Sequence, residues 1–399
     1  MKHRYHAVRG WAFELIRLIL IRLGVRTRDD CSSIRSVADS AGFDSVDPAR
    51  MLRGSEAARL RRSILIVGQL DYGTTSWSRA AAFESQFTSA SEVTTSPFIE
   101  QEGWRTFITN HLYSGALVEE INHSIWSAAE RHGPEIVWID KGLHIWPETL
   151  RRLRKRGSML IHFSPDNQMV LANQSRHYAA SIPMYDAHIT TKKHNVDWLL
   201  ECGAARVEWM GKGFDDRIHR PMVLSELDRE VFECDVGFVG HWEPDRERLL
   251  LQLDRMGFRI KVWGGNWDGA RHANHALFAN AKPVHGDNYA KAICGARVNL
   301  CLLSKWFADQ STARSIEIPA CGAFMLADRT TEHLELFAEG IEAEFYDSES
   351  ELVEKINFYL ANPGRREEIA KRGRERCLAG YSNESRISDV FQRLGRASQ

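Results

Sequence analysis

The sequence predicts an α/β protein of two doubly wound domains, and three observations predict it. Short apolar, β-branched runs alternate with helix-period segments along most of the chain. Several of these runs end on glycine, as in Ile64-Leu-Ile-Val67-Gly68, the way a buried parallel strand feeds a turn and then a helix. The alternation lapses once, over residues 212–227, and then restarts. That lapse divides 399 residues into two strand–helix domains of roughly 160 residues each.

In the first domain, strands are expected at 61–68, 135–140, 158–163 and 187–191, with helices at 79–84, 113–131, 146–156 and 195–202. In the second, strands are expected at 235–240, 258–264, 298–303 and 323–327. Its helices fall at 247–256, 289–296, 316–321, 350–360 and 365–378. A last amphipathic helix, 384–394, closes the chain. The domains read as 1–60, a basic amphipathic helix and linker; 61–222; 223–380; and 381–399, a helix expected to cross back onto the first domain.

Composition narrows the class. A hydrophobic fraction of 43% and a charged fraction of 26% describe a globular chain, and a net charge of −1 argues against a dedicated nucleic-acid binder. Seven scattered cysteines without a Cys-x-x-Cys pair read as reduced thiols of a cytoplasmic protein. No zinc-ligand spacing occurs among the 16 histidines. Residues 1–28 hold seven Lys or Arg and one acid. The apolar stretch 11–23 within them, broken by Glu14, Arg17 and Arg22, is too short and too charged to span a bilayer. Two readings stand for them: a helix packed on its own protein, or peripheral contact with anionic lipid at the inner face of a membrane.

Open α/β sheets bind ligands beyond the C-terminal ends of their strands, so the residues just after each strand carry the functional weight. In the second domain the segment Asp309-Gln-Ser311-Thr312-Ala-Arg314-Ser-Ile-Glu317-Ile-Pro319-Ala-Cys-Gly322 is the most informative. Two acids flank an arginine at a helix start, with glycine at the helix end. Ser315 is the expected N-cap, with Pro319 in the first turn. Carboxylates there accept hydroxyl hydrogen bonds, and a helix start with arginine suits a diphosphate. The structural alternative for Glu317 is dipole stabilisation or an i,i+3 pair with Arg314.

With those residues in hand, the second half resembles the nucleotide-binding domain of GT-B glycosyltransferases, and most closely the branch named after bacterial spore-maturation proteins. The resemblance rests on Gly237-Phe-Val-Gly240-His-Trp-Glu-Pro-Asp-Arg246, on Tyr289-Ala-Lys-Ala-Ile-Cys, on Thr312-Ala-Arg314-Ser-Ile-Glu317-Ile-Pro-Ala-Cys-Gly322 and on the closing helices. Gly73-Thr74-Thr75, Trp138-Ile-Asp-Lys141-Gly142 and Phe163-Ser-Pro-Asp166-Asn167 carry a softer likeness in the first. It implies the GT-B fold, two Rossmann-like domains facing across a cleft, and transfer of a sugar from a nucleotide-sugar donor to a hydroxyl acceptor in cell-envelope biogenesis. Retention is favoured slightly over inversion.

In many retaining members two glutamates contact the donor sugar and the ribose. Glu317 matches the second, and Asp309 stands at the first, one methylene shorter. Donor contacts are expected from Gly240, Arg246, Trp263, Gly264, Tyr289, Lys305, Ser311, Thr312, Arg314 and Gly322. The aromatic rings are equally readable as core, and Arg246 as an exposed helix arginine. Gly68, Gly73, Thr74, Thr75, Lys141 and Asn167 are expected at the first-domain side of the cleft. Asp166 reads either as the acceptor's base or as a turn cap. No cofactor and no metal are expected, since cations can stabilise the departing diphosphate. Two other readings are carried: a GT-B shell without turnover, acting in binding or assembly, and a nucleotide-sugar epimerase.

Overall fold

The computed structural model describes residue 52 and residues 60–100, 103–170, 173–304 and 309–396. The basic segment 1–28, nearly all of the linker and Lys305 lie outside the described residues. The described chain forms two compact units. One holds residues up to 219 together with 309–320 and 375–396; the other holds 220–304 and 321–374.

The first unit is built on six parallel strands: β1 (Leu60–Gly68), β2 (Phe87–Thr94), β3 (Ile136–Asp140), β4 (Met159–Ser164), β5 (Ala187–Thr190) and β6 (Val207–Trp209). Their order is β2-β1-β3-β4-β5-β6. The two-residue period of β1 explains why both faces are covered. Ile64 and Ile66 join Phe83, Phe87, Trp138, Ile161 and Phe163 on one face. Leu65 and Val67 join Ile121, Ile125, Val137 and Leu160 on the other. The helix Asn383–Leu394 supplies Ile387, Val390, Phe391 and Leu394 to the first face, an i, i+3, i+4, i+7 stripe.

The second unit is a five-stranded parallel sheet: β7 (Cys234–Val239), β8 (Ile260–Trp263), β9 (Ala296–Cys301), β10 (Met325–Asp328) and β11 (Glu344–Tyr346), in the order β11-β10-β9-β7-β8. Val236, Phe238, Leu250, Val298, Leu300, Leu326, Leu352 and Ile356 form its core.

Each expected strand and helix forms, with ends shifted by a few residues. One helix differs in how it starts. It spans Arg314–Ala320, and the Ala313 carbonyl accepts from both Ile316 N–H and Glu317 N–H. Ser315 is therefore inside the helix rather than at its N-cap, and its Oγ accepts from Thr312 N–H at 2.9 Å. Pro319 lies inside the helix, not in the expected first turn. A proline there has no N–H to donate, which suits so short a helix.

Gly264 shows why one loop must be glycine. Its φ is +144°, and a Cβ would stand 1.9 Å from the Gly240 carbonyl oxygen. The end of β8 therefore runs directly against the end of β7. Gly264→Ala is expected to destabilise the protein by about 2–4 kcal/mol, from backbone strain plus a clash that no rotamer relieves. An unchanged urea midpoint would refute that.

Candidate functional site

Both sheets change winding direction at a single place. In the first, β1 leads to β2 on one side while β3 to β6 run to the other, so the switch point lies between β1 and β3. In the second it lies between β7 and β9. These are the positions where open α/β sheets leave a crevice for ligand.

At the second unit's switch point, Arg246 is buried rather than an exposed helix arginine. Its guanidinium donates to the carbonyls of His241 (2.9 Å, after β7) and Leu302 (3.3 Å, after β9) and pairs with Glu243 at 3.0 Å. It clamps the mouth of the crevice. Ser304, 6% exposed at the same mouth, has an Oγ without a hydrogen-bond partner. Trp263 is packed against Phe232 at 6.0 Å, and Trp267 stacks on Phe278 at 4.7 Å while donating to the Gly240 carbonyl at 2.9 Å. Both rings are core, which corrects the expectation that Trp263 offers its face to a base. Tyr289 is half-buried in the first turn of the helix Asp287–Gly295. Gly322 follows the 314–320 helix with φ +70°.

Beside Gly322 the Cys321 thiol hydrogen-bonds the Cys294 sulfur. That bond, with Met222 N–H at 3.4 Å and the charge of Arg374, outweighs burial and brings Cys294 down to about 7. Among the described cysteines Cys294 is expected to be alkylated first by iodoacetamide, with a half-maximal rate near pH 7. Peptide mapping of a short, sub-stoichiometric reaction checks this; labelling of another described cysteine first would contradict it.

The acidic segment packs within the first unit. Lys192, just after β5, forms an ion pair with Asp309, and both side chains are largely buried. Lys212 Nζ donates to Ser311 Oγ at 3.0 Å. Glu317, 8% exposed, places Oε1 3.6 Å from His219 Nε2. His219 Nδ1 accepts Asp215 N–H at 3.0 Å, so the neutral ring carries its proton on Nε2, toward Glu317. Burial alone would raise Asp215; hydrogen bonds from Arg217 and Ser78 outweigh it and hold that carboxyl below its usual range. Thr312 and Arg314 are half-buried on the same segment. Lys192 lies two residues beyond β5, among the post-strand positions that carry functional weight, although the sequence gives it no role; Lys212, three residues beyond β6, and His219 were missed.

The first unit's switch point holds a cavity of about 250 Å³. The end of β1 (Val67, Gln69), the segment 140–145 after β3, and Asn110, Tyr113 and Asn173 line it. Lys141 lines it, whereas Gly68, Gly73, Thr74, Thr75, Asp166 and Asn167 do not. Their roles are local. Gly68 approaches Asp140 so closely that a Cβ would sit 2.9 Å from that side chain. Gly73 takes φ +86°. Thr74 caps the helix Thr75–Gln86, accepting Trp77 N–H at 3.1 Å. Asn167 Oδ1 accepts Met169 N–H at 3.0 Å. Asp166 pairs with Lys141 at 2.9 Å, half-exposed. Asp140 is held by Arg79 at 2.5 Å and Trp138 Nε1 at 2.7 Å.

Residues 246–392 match the family model described as glycosyl transferase-like. The chain is similar in structure to sucrose-phosphate synthase from Thermosynechococcus elongatus, with a TM-score of 0.60 at 14% identity over 85% of this chain and all of that one. HepE from Anabaena, solved with UDP-glucose, gives 0.55 at 12% identity over 84% of this chain and all of HepE. A glycosyltransferase from Rickettsia africae gives 0.55 at 10% identity over 85% of this chain and all of its own. No curated protein sequence matches. At these identities the likeness establishes the fold: α/β with two parallel sheets, the GT-B architecture. Among the described residues no helix is long and apolar enough to cross a membrane.

Proposed function

We propose that this chain is a nucleotide-sugar-dependent glycosyltransferase that moves a sugar onto a hydroxyl acceptor. The observation that carries the reading is the buried Glu317 carboxylate, oriented by His219, on a segment within the matched glycosyl transferase-like region. A buried carboxylate so placed suits two ribose hydroxyls. Asp309, set by Lys192, is assigned to the donor sugar, while Lys212 and Arg314 supply charge to the leaving diphosphate. HepE was solved with UDP-glucose and with UDP, which supports a uridine donor as the first to try. The resemblance of the 237–246 and 312–322 motifs to the spore-maturation-protein branch motivates a role in cell-surface polysaccharide or glycolipid glycosylation, and the basic residues 1–28 motivate contact with the inner face of a membrane. The cations replace a metal in this reading, so the rate should withstand EDTA.

The test is release of nucleoside diphosphate from a panel of UDP-, GDP-, ADP- and TDP-sugars with mixed hexoses as acceptors. Glu317→Gln is expected to lower kcat/KM by about 10–100-fold, the loss of one to two hydrogen bonds to a charged group. A Glu317→Gln enzyme of normal rate and melting temperature would sink the assignment.

A further inference from the structure

One pair of reactive groups in the second unit has no part in the transferase reading. Cys294 lies at the end of the helix Asp287–Gly295, just before β9, and Cys321 lies in the turn that leads into β10. β9 and β10 are hydrogen-bonded neighbours, with Asn299 opposite Met325. Stepping back along both strands from that pair brings the two cysteines together at the N-terminal edge of the sheet. Both approaches are pinned. The Asn299 side chain donates to the Ile293 carbonyl at 3.0 Å, and Asn299 N–H donates to the Phe324 carbonyl at 3.0 Å. A Cβ on Gly295 would stand 2.6 Å from the Phe232 carbonyl oxygen, so the turn after Cys294 is packed hard against its neighbour.

The two thiols differ in access. Cys321 is 1% exposed, whereas Cys294 alone among the described cysteines is not buried. Met222 N–H and the Cys321 thiol both donate to the Cys294 sulfur, and Arg374 adds positive charge. These contacts favour the thiolate, the form that attacks a peroxide. The thiol that would react next is already in hydrogen-bond contact with it. Neither cysteine is in a disulfide in this structure.

We propose that Cys294 and Cys321 are a reversible redox pair, in which a hydroperoxide oxidises Cys294, Cys321 closes a disulfide onto it, and the closed pair slows transfer. The slowing rests on the transferase reading above; the disulfide does not. The step balances. The Cys294 sulfur takes one oxygen from the peroxide, the O–O bond breaks, and the other oxygen leaves with its electron pair, giving a sulfenic acid and hydroxide. The Cys321 sulfur then attacks Cys294, the S–O bond breaks, and the hydroxyl departs as water with the Cys321 proton. Two thiols lose two electrons, the peroxide gains them, and a small thiol reverses the change by exchange. The half-buried setting of Cys294 admits a small oxidant more readily than a bulky disulfide. Cys321 directly follows the helix Arg314–Ala320, so the disulfide tethers the end of the segment that carries Glu317.

The experiment treats the full chain with a few equivalents of hydrogen peroxide at neutral pH. Cys31 is replaced by serine throughout, so that the one cysteine outside the described residues adds no signal. The parent protein is expected to lose about 2 Da, to give a non-reduced peptide joining residues 294 and 321, and to recover fully with dithiothreitol. Cys321→Ser leaves the Cys294 sulfenic acid unresolved, so it should label with dimedone and then gain about 32 Da as the sulfinic acid. Cys294→Ser should leave Cys321 unmodified, because burial hides it. Oxidation of Cys294 past the sulfenic acid in the parent, a link to another cysteine, or no reaction at Cys294 would each overturn the pair. In the nucleotide-sugar assay the linked protein should lose at least about threefold in kcat/KM, restored by dithiothreitol. An unchanged rate in the linked protein would overturn the slowing. No transfer by the reduced protein from any nucleotide sugar would instead remove the transferase reading and leave the disulfide standing.

Discussion

Acidification from pH 7.5 to 5 should destabilise the first unit by on the order of 3–6 kcal/mol through its buried histidines. His144, His162 and His188 are all held neutral by burial, at about 4, about 4 and about 3. In the unfolded chain each takes a proton near 6.5. The unfolded state thus binds more protons below 6.5, and stability falls as pH drops from there toward 4. At pH 5 each ring forgoes about 1.5 pK units, or about 2 kcal/mol, and coupling within the pair reduces the sum.

The coupling has a visible cause. His162 Nε2 donates to the Lys141 carbonyl at 3.0 Å, and His188 Nε2 donates to the Ile182 carbonyl at 2.8 Å. In the neutral pair this leaves two bare Nδ1 atoms 3.1 Å apart. One proton between them would relieve the contact, whereas a second would set two buried cations side by side. The pair therefore titrates as a unit, and the second proton is the costly one. Asp215 and Glu247 are held below their usual ranges, so their contributions disappear only below about pH 4 and stay out of this window. Urea midpoints between pH 7.5 and 5, with histidine ring shifts followed by NMR, test the claim. A flat midpoint, or folded-state histidines titrating near 6.5, would falsify it.

What could be read in the sequence follows burial. The strands that sequence reasoning found are apolar runs, such as β3 and β4, buried at every position. The three it missed, β2, β6 and β11, all lie at sheet edges. β2 reads Phe-Thr-Ser-Ala-Ser-Glu-Val-Thr, with only Phe87 and Val93 buried, so it carries neither an apolar run nor clean alternation. At the site, the acids at 309 and 317 stood out because their segment is short and local. Their partners Lys192, Lys212 and His219 are about 100 residues away in sequence, and only the fold brings them together. The exposed-arginine alternative for Arg246 fails for a related reason. A helix-opening arginine looks solvent-bound until the carbonyls of two strand ends are known to converge on it.

Phe391→Ala should cost about 3–5 kcal/mol, the range for removing a buried phenyl ring. The ring is 3% exposed at the centre of the first unit's core. It meets Phe87 edge-on at 5.2 Å, Phe83 at 6.4 Å and Trp138 at 6.3 Å. These contacts join the last helix to the strands and helix formed by residues 60–140, so a residue near the C-terminus completes a core begun 300 positions earlier. The hole left by alanine would be lined by three aromatic rings that cannot all move inward, which places the change at the upper end of the range. The same helix start is tied by polar contacts: Asn383 donates to Ser78 at 3.0 Å, and Ser78 donates to Asp215 at 3.1 Å. Asp215 in turn positions His219 against Glu317. The two ends of the helix therefore do different things. Phe391→Ala should lower the melting temperature while leaving kcat/KM near wild type at temperatures where the protein stays folded. Asn383→Ala should do the reverse, a smaller stability loss with a larger fall in activity. Equal effects of both substitutions on both quantities would show that the helix acts as ballast and has no part in setting the site.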